Sequence, residues 1–359
     1  MKIKIRTIIL FLSIALTAFF GACSDWTEQE SLKIDYPSVE DANPLSYQEY
    51  LANLRNYKQT YHPLMVGIFD NSDKTFRSRA TRIKAVPDKV DIVSLMYGDD
   101  LEDIELEDIV SVRKDKGIRV IYSIAFENFR KYIVDTNFDI ENENLAGMGD
   151  PSYVPKPLLD LTAEISKYMD TQLALLDKYG YDGFILHYDG KATHFMKDDE
   201  IEEMQAMQNL IFGKVLATMS GHAGKTYILE GRPQNVLDKS ILLNFDYFLI
   251  RTQYLGSIRE VTLLTRALLE YTDVPSNNIL VGACADYIDE DANSWGVIYG
   301  EDGSKQSAVV ETAYWVKVPD AFTKAGMAVY MINRDYFNPD LDYKHVREAI
   351  EIMNPSPIN

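Results

Sequence analysis

Eight short apolar and β-branched runs punctuate this chain, at residues 64–69, 90–96, 119–125, 183–188, 226–229, 247–250, 279–284 and 327–332. Helical patterns occupy most of the gaps. Leu158, Leu161, Ile165, Tyr168, Met169 and Leu176 recur at three- and four-residue spacing and so share one stripe of a helix. Stretches 199–219, 258–271, 307–324 and 343–353 read the same way, and a shorter helix is predicted around 47–57. Strand–helix alternation repeated eight times predicts a parallel sheet closed into a single-domain (β/α)8 TIM barrel. The alternative is an open doubly wound sheet, but no Gly-x-Gly-x-x-Gly follows the first strand and no phosphate-binding loop occurs.

Composition narrows the functional classes. With 46% apolar and 11% aromatic residues the chain can fill a core, which excludes a disordered or fibrous protein. The 36 Lys and Arg face 55 Asp and Glu, a formal charge of −19, so nucleic acid is not an expected partner. Residues 1–22 read as an export signal: Lys2, Lys4 and Arg6 precede an apolar run from Ile8 to Phe20 that is short for a membrane span. The run ends Phe20-Gly21-Ala22-Cys23, which resembles a bacterial lipoprotein cleavage site, with Cys23 carrying the lipid anchor. Ser24, Asp25, Glu28 and Glu30 resemble a surface-export signal of outer-membrane lipoproteins. Residues 23–61 are then a tether and short helix, and 62–359 the barrel. Cys284 is the other cysteine, so no cystine framework is expected.

In a barrel of this kind, function sits where the strands end at their carboxyl side. Polar residues just past the predicted strands are Asp70, Asp99, Glu127, Asp189, Glu230, Arg251 with Tyr254, Asp286, and Asn333 to Tyr336. Residues 127–157 are predicted as a long loop folding over the mouth. His187, His194 and His222 lack metal-ligand spacing, and neither a metal nor a cofactor is expected.

The fourth strand carries a family signature. Tyr179-Gly180-Tyr181-Asp182-Gly183-Phe184-Ile185-Leu186-His187-Tyr188-Asp189 resembles the strand of family 18 glycoside hydrolases, the chitinases and endo-β-N-acetylglucosaminidases, which reads Asp-Gly-x-Asp-x-Asp-x-Glu. Arg251-Thr252-Gln253-Tyr254 is similar to that family's sixth strand with its site Tyr, and Tyr330 stands where its floor Trp is usual. The resemblance implies a substrate-assisted mechanism, in which the terminal Glu protonates the glycosidic oxygen and the preceding Asp orients the sugar's own N-acetyl nucleophile. Here those positions hold Asp189 and His187, with Ile185 replacing the innermost Asp, and only Asp182 remains of the acidic set. An Asp carboxyl falls about 1.5 Å short of a Glu carboxyl, and a 1 Å misplacement can cost about a hundredfold. A neutral imidazole in place of a carboxylate forfeits about another hundred- to thousandfold of electrostatic stabilisation.

The expectation is therefore a barrel that binds a GlcNAc-containing glycan, an N-glycan or chitooligosaccharide, largely without cleaving it. Asp182, His187, Asp189, Gln253, Tyr254, Trp295 and Tyr330 are the expected ligand contacts. By resemblance, the expected setting is an outer-membrane lipoprotein serving a glycan-uptake transporter. The rival expectations are an active endo-β-N-acetylglucosaminidase with Asp189 as general acid, and a transporter partner that touches no sugar.

Overall fold

The computed structural model describes residues 43–150, 152–270, 273–285, 287–288 and 294–355; Cys23 and Asp286 lie outside them. Two units divide the chain, Met1–Tyr50 and Leu51–Asn359. The described part of the first is the opening of helix α1 (Pro44–Tyr57).

The second unit holds the barrel strands β1 (Leu64–Phe69), β2 (Ile92–Leu95), β3 (Arg119–Ile124), β4 (Gly183–Tyr188), β5 (Thr226–Gly231), β6 (Tyr247–Ile250), β7 (Ile279–Cys284) and β12 (Lys324–Tyr330). They close in the order β1-β12-β7-β6-β5-β4-β3-β2, with every neighbouring pair parallel. This is a single-domain (β/α)8 barrel. Four short strands, β8 (Tyr287–Ile288), β9 (Ser294–Trp295), β10 (Val297–Tyr299) and β11 (Lys305–Ser307), pair as two ribbons after β7.

The strands read as unbroken apolar runs because both faces are buried. Inward residues Val66, Ile68, Ile92, Ile121, Ile185, Ile228, Leu249, Leu280 and Ala328 fill the barrel. Their strand neighbours, such as Phe184, Leu186 and Val281, join a second apolar layer beneath the helices. Gly183 shows why the family lead-in needs glycine: at φ 146° its strand runs so close to β5 that a Cβ would stand 1.7 Å from the Thr226 carbonyl oxygen.

The helices are α2 (Asp103–Ser111), α3 (Phe126–Gly147), α4 (Leu161–Lys178), α5 (Asp198–Gly221), α6 (Ile258–Leu269), α7 (Ala308–Lys317) and α8 (Lys344–Met353). The predicted stripe of α4 buries Ile165, Met169 and Leu176, and the Asp160 side chain caps its start by accepting from Ala163 N. Two expectations fail. Residues 127–147 are not a loop over the mouth: they belong to the 22-residue helix α3, of which only Phe126 and Ile133 are buried. The helix predicted over 307–324 ends at Lys317, because Val318 precedes Pro319 and takes an extended conformation, after which β12 begins.

Candidate functional site

Alternation along β4 sends Ile185 into the barrel interior, and His187 and Asp189 continue that face to the carboxyl end. His187 lies opposite Glu230 in the register between β4 and β5. Arg251, just past β6, reaches across to both strands. Its Nη1 lies 2.7 Å from His187 Nε2 and 3.6 Å from Asp189 Oδ2, and its Nε lies 3.3 Å from Glu230 Oε1. Tyr330, at the end of β12, donates its hydroxyl to Glu230 Oε1 at 2.7 Å. Five residues from four strands thus form one charged network across the mouth.

This network fixes the state of Asp189. Burial alone would raise its carboxyl, but the hydrogen bond and charge of His187 and the charges of Arg251 and Arg232 outweigh burial and hold it below the usual carboxylate range. His187 Nε2 stands 3.1 Å from Asp189 Oδ2 as well as beside the guanidinium. One ring nitrogen cannot accept from Arg251 and donate to Asp189 at the same time. Whichever way His187 is protonated, the Asp189 carboxylate stays next to the Arg251 cation. Burial and the neighbouring Glu230 charge keep the Tyr330 phenol well above its ordinary value, so it remains a neutral donor.

The loop carrying Asp189 is anchored from outside the barrel. Glu127, in the first turn of α3, accepts from Asp189 N at 2.9 Å and Gly190 N at 3.0 Å, and Asn235 Nδ2 donates to the Asp189 carbonyl at 2.7 Å. Phe126 is 1% exposed and stacks on Tyr188 at 6.0 Å, so it belongs to the core beneath the loop.

Gln253 supplies a different kind of polar group. Its side chain is buried beside Gly282 and the Tyr330 ring, and neither its Nε2 nor its Oε1 has a hydrogen-bond partner. A Cβ on Gly282 would come within 2.8 Å of the Tyr330 ring and 3.0 Å of Gln253 Oε1. Above them, Tyr254 is 57% exposed; its ring meets Trp295 edge-on at 5.1 Å, and its hydroxyl lies 3.3 Å from Arg251 Nη2. The two rings form an apolar rim on a charged floor.

Six of the seven expected contacts, His187, Asp189, Gln253, Tyr254, Trp295 and Tyr330, therefore gather at one end of the barrel. Asp182 is a correction. It precedes β4 at the opposite end, where its Oδ2 accepts from Arg113 Nε and Val120 N, both at 2.7 Å. Seven residues of strand place it about 20 Å from Asp189, so it braces the barrel floor. Glu230 and Arg251 were legible only as strand-end polar residues; counting by two from inward Ile228 and Leu249 brings both to the interior face. Of the other strand-end candidates, Asp335 caps α8 through Val346 N, and Asp70 and Asn333 bind each other through main-chain and amide groups. His194 is exposed. Among the described residues no group of three or more His, Cys, Asp or Glu could hold a metal.

No curated protein matches this sequence. Solved structures do, at low identity. A selenomethionine variant of BT1044 is 17% identical, with 88% of this chain and 95% of that one covered and a TM-score of 0.57. The endo-beta-N-acetylglucosaminidase of Cordyceps militaris is 20% identical, with 86% and 96% covered and a TM-score of 0.55. A variant of it was solved with fucosyl-N-acetylglucosamine-Asn, and an Ostrinia furnacalis chitinase domain, 10% identical with 82% and 97% covered and a TM-score of 0.52, was solved with an N-acetylchitooligosaccharide. The family 18 BT1044-like model matches residues 27–352, nearly the whole chain. With its eight-stranded barrel and its strand-four lead-in, this chain belongs to glycoside hydrolase family 18, in the BT1044-like group.

Proposed function

We propose that the protein captures glycans containing N-acetylglucosamine at the mouth of its barrel and does not hydrolyse them. The observation that carries this reading is Arg251, whose guanidinium engages both His187 and Asp189. A general acid must hold its proton near neutral pH, and a carboxyl kept below its ordinary range by cations has given it up. His187 cannot replace the negative charge that an orienting Asp would offer a developing oxazolinium.

Binding draws on other groups. The buried, unpartnered Gln253 amide offers one donor and one acceptor side, the complement of an acetamido N–H and C=O. Tyr254 and Trp295 offer the apolar faces with polar edges that suit a pyranose ring. The glycans bound in the Cordyceps militaris and Ostrinia furnacalis structures supply the ligand class. In this reading a lipid on Cys23 holds the protein at the outer membrane, where it delivers glycan to an uptake transporter.

Calorimetric titration of the full chain with a high-mannose glycopeptide tests the binding half. Saturable binding is expected, weakened about fivefold in Tyr254→Ala and in Trp295→Ala by loss of roughly 1 kcal/mol of ring contact. A flat titration of the unaltered chain would overturn glycan capture and leave the transporter-partner reading.

A further inference from the structure

At the amino-terminal end of the barrel, opposite the mouth, a cavity of about 650 Å³ opens beside the strand starts. Its lining includes Arg55, Lys58, His62, Arg113 and Arg119, against Asp91 as the one lining carboxylate. In a chain of net charge −19 this concentration of cations is anomalous. Asp91 can offset only one of these charges: its Oδ1 lies 2.9 Å from His62 Nε2, its Oδ2 accepts from Met65 N at 2.8 Å, and among the described residues its ion pair is with His62. Arg113 is paired with Asp182. The remaining three make no ion pair among the described residues. Arg55 Nη1 donates to the Asp115 carbonyl at 2.8 Å, Lys58 Nζ to the carbonyls of Asp88 and Val90 at 2.6 Å, and Arg119 Nη1 to Thr226 Oγ1 at 2.8 Å.

These are partial solutions for partly buried cations. Carbonyl dipoles orient Lys58 without cancelling its charge, and each arginine keeps most of its five donors uncommitted. Burial, with the charges of Lys116 and Arg119, brings the Lys58 ammonium down to about 8 against the opposing pull of Asp91 and Asp88. Tyr247, which also hydrogen-bonds Arg119, and Asn278 add neutral polar groups to the same lining, and the Asp246 charge acts on Arg119 from outside it. Two arginines and a lysine lining one cavity offer more donors than the two oxygens of a carboxylate can use and suit the several acceptor oxygens of a tetrahedral oxyanion.

We propose that this cavity binds a phosphate-class anion, free or as a lipid headgroup, through Arg55, Lys58 and Arg119. The site owes nothing to the glycan mouth and stands or falls separately from it. Differential scanning fluorimetry and calorimetry on the full chain compare sodium phosphate with sodium chloride at matched ionic strength. Phosphate is expected to raise Tm beyond the chloride control and to bind saturably. Proton uptake at pH 8, as Lys58 regains its ammonium, would appear as a buffer-dependent enthalpy.

Lys58→Met and Arg55→Met should each weaken phosphate binding at least tenfold, with folding checked by circular dichroism. Arg55 gives the second variant because Arg119 also tethers Thr226. Phosphatidylglycerol and phosphatidylcholine vesicles separate the sources. A response to inorganic phosphate alone identifies a soluble anion, and one confined to phosphatidylglycerol and lost in both variants identifies a headgroup. Identical behaviour in phosphate and chloride with no preference between vesicles, or binding unaltered in both variants, overturns the proposal.

Discussion

Arg251 governs the chemistry open to its neighbours. The hydrogen bond and charge of His187, followed by the charge of Arg251, depress the Asp189 carboxyl against its burial, and its stabilising contribution is therefore present above the unfolded-state value near 3.9 and is lost as pH falls through the lower folded value. Carbon-13 NMR titration of the Asp189 carboxyl should place it below that reference, and Arg251→Met should move it upward. An unmoved titration would remove Arg251 from the account. Gln253 predicts a trade of stability for function. A buried amide without partners costs the fold on the order of 1–3 kcal/mol, so Gln253→Met should raise the urea midpoint while weakening glycan binding. Stability and affinity falling together would mean that the amide is satisfied in the folded protein. The substitutions at 185, 187 and 189 are plain in the sequence, whereas the part played by Arg251 is not, because a strand-end arginine reads equally as solvated surface.

Elements differ in how openly the sequence declares them. The barrel strands are legible because burial on both faces demands continuous apolar runs, and α4 because one face must match the sheet. Helix α3 escapes because only Phe126 and Ile133 of its 22 residues are buried, with Phe129 half-buried beside them, so its apolar stripe is short and confined to the first turns. Charged pairs such as Arg130 with Glu127 and Lys131 with Asp135 support it instead, and its first turn still reaches the site through Glu127. Gly183 is legible as part of a signature, but its reason appears only in the pairing of β4 with β5. Gly183→Ala would drive a Cβ into the Thr226 carbonyl, backbone that cannot step aside. A loss of more than about 3 kcal/mol, or no folded protein, is the expected outcome of denaturant unfolding. A loss below about 1 kcal/mol would show that the two strands can separate there.

For the whole molecule, the sequence specifies the architecture more completely than the chemistry. Eight apolar beats define the barrel and point to its carboxyl end, and the structure gathers six expected contacts there while sending Asp182 to the floor. Their spacing already separates Asp182 from Asp189: seven residues of extended strand span about 20 Å and an odd step changes face, although both belong to one continuous signature. The barrel keeps the family's frame and lead-in, but its mouth carries a salt-bridged Asp and a His where a protonated Glu and an orienting Asp would stand. Mass spectrometry of a high-mannose glycopeptide incubated with the full chain at neutral pH tests this most directly. An unchanged glycopeptide mass is the result expected of a binder, and release of a glycan cut between its two core GlcNAc residues would contradict it.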